Sequence, residues 1–288
     1  MNLINLAILA LNASMFMIVL ALGLHTTIGE MTYLFRRPSL LLRSILSMNV
    51  IMLAFAIGIC VLFDPAPAIK IALVGLAVSP VPPILPNQQF SAGGSAKYVI
   101  GLLSGTALVS IVLAPLVMDL VHAQFGVTVH MPVAKVATIV FVSVLVPLLA
   151  GIAIRRLAPV LGARIAQPIS KFATVLLIIA VLPMLFVATP LLWTLVGKGV
   201  LVALVVFTIV GLAVGHALGG PDPDKRTVLA LATGSRHPGI ALALGSINFP
   251  NEHATMAVVI FHLLIGALVA LPYVTWRKRM HAAEVTKP

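Results

Sequence analysis

Charge is what this sequence has least of. Only 9% of its 288 residues are charged, and 7 are Asp or Glu. A soluble domain carries about 25% charged residues. An ordinary globular enzyme is thereby excluded, and so is a disordered chain, which needs high charge and few apolar residues. Cysteine is almost missing too. Cys60 is the single one, so no internal disulfide forms and a disulfide scaffold is excluded. It lies in an apolar run without metal-ligand spacing and reads as a buried small hydrophobe. What the chain has in abundance is apolar: 61% hydrophobic residues and a mean hydropathy of +1.17. Each membrane crossing needs about 20 such residues. This is the composition of a membrane protein with almost no soluble mass.

Apolar runs predict nine crossings, at residues 5–24, 43–63, 66–89, 98–121, 133–154, 168–187, 191–218, 226–247 and 253–276. The first lacks a basic leader and is too long for a signal peptide, so it reads as a true span. The net charge of +11 would suggest a nucleic-acid partner in a soluble protein. Here it reads instead as the bias of basic residues toward cytoplasmic loops. Arg36, Arg37, Arg43, Lys97, Arg155, Arg156, Arg164, Lys171, Lys225, Arg226, Arg277, Lys278, Arg279 and Lys287 all fall on one side of a nine-span chain. Lys70, Lys135 and Lys198 fall near the other. The expected topology is N-terminus outside and C-terminus cytoplasmic, in a plasma (inner) membrane. Residues 1–288 form one transmembrane domain, and the tail from His281 is expected to fray.

The eighteenth basic residue, Arg236, belongs to neither side. It stands in Ala232-Thr233-Gly234-Ser235-Arg236-His237-Pro238-Gly239, in the middle of the eighth span. The third span carries Ser79-Pro80-Val81-Pro82-Pro83-Ile84-Leu85-Pro86-Asn87-Gln88, with four prolines in seven residues. Proline removes a donor and clashes with a preceding carbonyl, so both spans are predicted to break. Broken backbone at membrane depth survives only inside protein or beside a water-filled cavity. Two breaks in corresponding places of two halves point to a transporter binding site. An arginine at the bilayer midplane costs from about 2.5 to over 10 kcal/mol. No carboxylate shares its break, so Arg236 is expected to face an aqueous cavity or a bound anion rather than lipid.

These features resemble the bile acid:sodium symporter family over nearly the whole chain. Gly23-Leu24 with Phe35-Arg36-Arg37-Pro38 looks like that family's loop after an early helix. Ser79-Pro80 with Asn87 looks like its first break, and Ala232 through Ala243 like its second. The resemblance implies an all-α integral membrane protein of nine transmembrane helices, lacking the family's first helix. It implies two inverted repeats, at about 1–123 and 131–276, with 277–288 a cytoplasmic tail. Two broken helices would cross in a core that moves against a panel. The family's sodium-binding glutamate falls on Ala232, a glutamine on Arg236, an asparagine on His237, a glutamine near Met48 and a serine on Pro86. Asn87 matches the family asparagine. The sodium sites therefore look degenerate.

The expected function is secondary transport of an organic anion by alternating access, independent of sodium, with Arg236 replacing the cation. The candidate substrate-binding residues are Asn87, Gln88, Thr233, Ser235, Arg236 and His237. Arg236 would pair with a carboxylate or sulfonate, and the neutral side chains would add hydrogen bonds. His237 either couples a proton to transport or packs between helices. Three alternatives stand beside this: a sodium-coupled symporter of bile-acid-like anions, a channel, and a membrane receptor. No paired histidine or carboxylate spacing points to an enzyme, and no cofactor is implied. His262 and Asn49 read as packing residues. Glu30 reads as a solvated partner of nearby arginines, and Gly93-Gly94 as a sharp turn.

Overall fold

A computed structural model describes residues 3–126, 130–196, 199–249 and 254–285. Those residues form helices and connections, with no strand among them. Helix α1 is Leu3–Gly23, and α2 is the short Ile28–Met31. Helix α3 is Pro38–Phe63, α4 is Pro67–Val78 and α5 is Leu85–Ser91. Helix α6 is Ala96–Phe125, α7 is Val133–Leu157 and α8 is Pro159–Val196. Helix α9 is Val200–Leu218, α10 is Pro223–Gly234, α11 is Pro238–Asn248 and α12 is Ala254–Val285. Seven of these (α1, α3, α6, α7, α8, α9 and α12) are long and apolar enough to cross a membrane. The protein is an integral, multi-pass membrane protein.

The remaining helices pair around breaks. Helices α4 and α5 are separated by the proline-rich residues 79–84, and α10 and α11 by residues 235–237. Proline opens α3, α4, α10 and α11, where its missing N–H has no helical partner to lose. Helix α4 is buried from Ile71 to Val78, and α10 from Thr227 to Gly234. A helix buried all round belongs to the interior. Helix α8 does the opposite. Phe172, Val175, Ile178, Ile179 and Leu182 are exposed on it, an apolar face suited to lipid. Helix α1 packs along α7 and α8, while α9 lies on α10 and α11 on α4.

Two helices carry a wider π turn: Leu46–Ile51 within α3 and Phe141–Leu145 within α7. The second precedes Pro147, whose ring and missing N–H oblige the ladder to shift. The first has no proline to explain it, and it lies against the break of the other half.

Several sequence expectations need correction. The second crossing starts at Pro38, not residue 43. Helix α8 begins at Pro159 and runs to Val196, and α9 begins at Val200, where the sequence placed a turn near residues 188–190. Pro183 and Pro190 both lie within α8, since a membrane helix tolerates proline by local adjustment. The chain turns instead at Gly199, whose φ of 75° needs glycine. Helix α12 continues through the basic cluster to Val285 instead of fraying from residue 281. Among the described residues, Glu30 enters no ion pair with the arginines. It closes a capping box with Thr27 at the start of α2. Gly93 has a φ of 81°, as a sharp turn requires. Lys198, Lys287 and His253, where the ninth crossing is predicted to begin, lie outside the described residues.

Candidate functional site

The two breaks meet. The main-chain N–H of His237 donates to the carbonyl of Pro80 at 2.9 Å. Each break would otherwise leave orphaned backbone groups in the interior, and here one orphan satisfies another. Val81 N–H is taken by Thr106 Oγ1 at 3.3 Å, and Ser79 Oγ donates to the Gly75 carbonyl at 2.6 Å. His237 caps α11: its Nδ1 accepts the N–H of Gly239 at 2.9 Å.

Arg236 sits beside this junction with no exposed surface. One terminal nitrogen donates to the carbonyl of Met48, and the other lies 3.5 Å from the carbonyl of Ser79. Its Nε has no partner. No ion pair among the described residues includes it. Met48 belongs to the π turn of α3, and such turns recur at functional sites. Next to it, Ser47 Oγ and Thr233 Oγ1 are hydrogen-bonded at 2.8 Å, which ties α3 to α10. A single guanidinium thus links three elements through main-chain oxygens: the π turn, the first break and its own break.

A cavity of about 580 Å³ lies among α1, α7, α11 and the start of α12, and His237 is one of its lining residues. Its walls are mainly apolar, with Asn12, Thr138, Ser143 and Ser246 among the polar exceptions. Arg236 does not line it. The sequence expects Arg236 to face water or an anion, whereas its guanidinium faces two carbonyls and His237 reaches the cavity.

The predicted site residues therefore separate. Thr233, Arg236 and His237 come together, with Ser235 half-buried between them. Asn87 is exposed and lines a second cavity of about 440 Å³, with His25, Glu30, Gln167 and Ser170. Gln88 is half-buried on the same short helix. Its neighbour Gln89 is the buried one. Gln89 Nε2 donates to the Val228 carbonyl at 2.8 Å, and Oε1 has no partner.

Sequence reasoning missed Gln89, Ser47 and the Met48 carbonyl. It also undervalued Asn49 and His262. Asn49 Oδ1 and His262 Nδ1 are buried without partners, as is His237 Nε2. His262 stands edge-on to Phe207, with ring centroids 5.7 Å apart, and lies within electrostatic reach of Arg236. Unsatisfied buried polar atoms cost about 1–3 kcal/mol each. Each such atom in a native structure calls for a partner that apolar packing does not supply. The one group with metal-ligand spacing among the described residues is Asp224, His281 and Glu284, within 4.8 Å of one another. It lies where α12 ends, not at the crossing.

The family model described as Sodium Bile acid symporter family matches residues 13–192. The matched segment includes the first break and ends before the second. No curated protein matches the chain.

Proposed function

This chain belongs to the sodium bile acid symporter family, and from that premise we propose that it is a sodium-independent secondary transporter of an organic anion. Arg236 stands where a bound cation would. The observation that carries this reading is the pair of carbonyls, from Met48 and Ser79, that accept from one buried guanidinium. Main-chain oxygens are ligands that hard cations use. Here they already have a permanent positive partner, since arginine stays protonated. No acidic residue occurs from Ala232 to Gly239. A sodium ion would meet a like charge and have no carboxylate to offset it, so the residues present do not fit one.

The two interrupted pairs count as one crossing each, giving nine crossings with the seven long helices. The first four form one repeat, at about 1–123, and the last five the inverted second, at about 131–276. With the N-terminus outside and the tail 277–288 cytoplasmic, the 580 Å³ cavity would open on the outer side. Alternating access would move α1, α7 and α8 against the core that holds both breaks. Substrate entering the cavity would reach His237, whose Nε2 is buried without a partner in this state and would exchange a proton as the core moves. Thr233 and Ser235 would shape the floor beneath it. Asn87 and Gln88 belong to the inward side, where the 440 Å³ cavity lies.

Counterflow tests this reading. Proteoliposomes preloaded with unlabelled anion should take up the same labelled anion faster than empty ones, because a carrier returns loaded. A rate indifferent to preloading would point to a channel and end the proposal.

A further inference from the structure

Lys70, Lys135 and Lys198 stand on the outer side of the proposed topology, against the bias of the other basic residues. Lys198 lies outside the described residues. Lys70 is accounted for: its Nζ is 2.5 Å from Asp64 Oδ1 and 5.1 Å from the centre of the Phe125 ring. Lys135 is not. Among the described residues it enters no ion pair and no contact over an aromatic ring. It sits in the first turn of α7, where the helix dipole disfavours a cation. Neither topology nor local electrostatics explains it.

Its position does. Lys135 is exposed and lines the 580 Å³ cavity, and it is the only Lys, Arg, Asp or Glu among the described lining residues. The same cavity is lined by Thr138 and Ser143, further along α7, and by the buried His237. Arg236, the positive group expected to meet a substrate's anion, does not touch this space. An anion entering a mainly apolar cavity still needs a counter-charge.

We propose that Lys135 is the anion-recruiting residue of the outer cavity. Its ammonium draws the carboxylate or sulfonate of an amphipathic organic anion to the rim. The apolar body then lies against Leu11, Met15, Ile139 and Leu242. This rests on the transporter reading and adds to it the residue that selects for charge. Arg236 organises the crossing, and Lys135 meets the substrate.

The test reads the cavity's potential directly, without a known substrate. Thr138 is replaced by cysteine, and Cys60, fully buried, serves as the silent background thiol. The labelling rate of Thr138→Cys is measured with an anionic and a cationic methanethiosulfonate of similar size. We expect the anionic-to-cationic rate ratio to fall about three- to tenfold when Lys135→Gln is added. Lys135→Arg should restore it, and both variants should elute as wild type does. An unchanged ratio overturns the proposal. In the second arm, uptake of cholate, α-ketoisocaproate and pantothenate is measured. For any of these that is carried, Lys135→Gln should raise the half-saturating concentration severalfold while largely preserving the maximal rate. An unaltered half-saturation would also overturn it. If none of the three is carried, the transporter reading loses support, while the labelling ratio still decides the role of Lys135.

Discussion

His237 and Pro80 are joined main chain to main chain, N–H to carbonyl at 2.9 Å, so the two interrupted helices hold each other at their breaks. The bond makes the crossing one unit. A displacement of residues 235–237 pulls on residues 79–84, and the Arg236 guanidinium carries the same displacement to the π turn of α3. Interruption and connection have one cause: backbone groups freed in the interior must find partners there.

Arg236→Ala should leave a folded protein, because it removes a buried charge as well as its bonds. It also strips the Met48 and Ser79 carbonyls of their donor. Uptake should fall about ten- to hundredfold, as expected for losing charge-assisted hydrogen bonds. Arg236→Lys, a point charge on a shorter reach, should be intermediate. Initial uptake rates alongside size-exclusion profiles check this.

Ser47 and Thr233 should be energetically coupled through their 2.8 Å hydrogen bond. In a double-alanine cycle the coupling should be about 0.6 kcal/mol, the usual scale between membrane helices. Reversible unfolding in rising proportions of a denaturing detergent measures it. Strict additivity would mean that the hydroxyls only share space.

Helix α9 lies on α10 through Gly211 and Gly215, a small-residue pair four apart. A Cβ at Gly211 would stand 2.7 Å from the Thr233 carbonyl oxygen and 2.8 Å from the Gly234 Cα. Both neighbours are backbone and cannot swing away. Gly211→Val should therefore cost about 1–3 kcal/mol by overpacking. Its uptake should fall as well, because the strain falls just before Arg236. Thermal unfolding and uptake of the same preparation check both.

Asp222 caps α10, accepting the N–H of Asp224 at 3.0 Å and of Lys225 at 3.4 Å. Burial pushes its carboxyl up. The hydrogen bond and charge of Lys225, with the two amides, outweigh burial and leave it below the ordinary carboxylate value. A depressed carboxyl stabilises the fold above its unfolded value, and that contribution is lost as pH falls through the folded one. Asp222→Ala should cost about 1 kcal/mol at neutral pH. The gap to wild type should close as pH drops below about 4. Melting curves of both proteins across that range check the sign.

The breaks were legible because proline and glycine act locally: Pro80, Pro82 and Pro83 cannot continue a ladder whatever surrounds them. Arg236 was legible because nothing in its span could neutralise it. Its partners were not legible. Main-chain carbonyls have no residue code, and the π turn at Leu46–Ile51 carries neither proline nor glycine. Gln88 was chosen over Gln89 because residue type does not report which side of a short helix is buried. The turn after α8 was not legible either, since that helix runs through Pro190 and the chain turns later, at Gly199.

The most direct measurement is initial uptake of the organic-anion panel into proteoliposomes, with all sodium replaced by potassium. With Arg236 as the resident cation, the rates in the two salts should agree. Uptake that vanishes without sodium would contradict the account, because a second cation would then have to bind where the guanidinium already occupies the carbonyls.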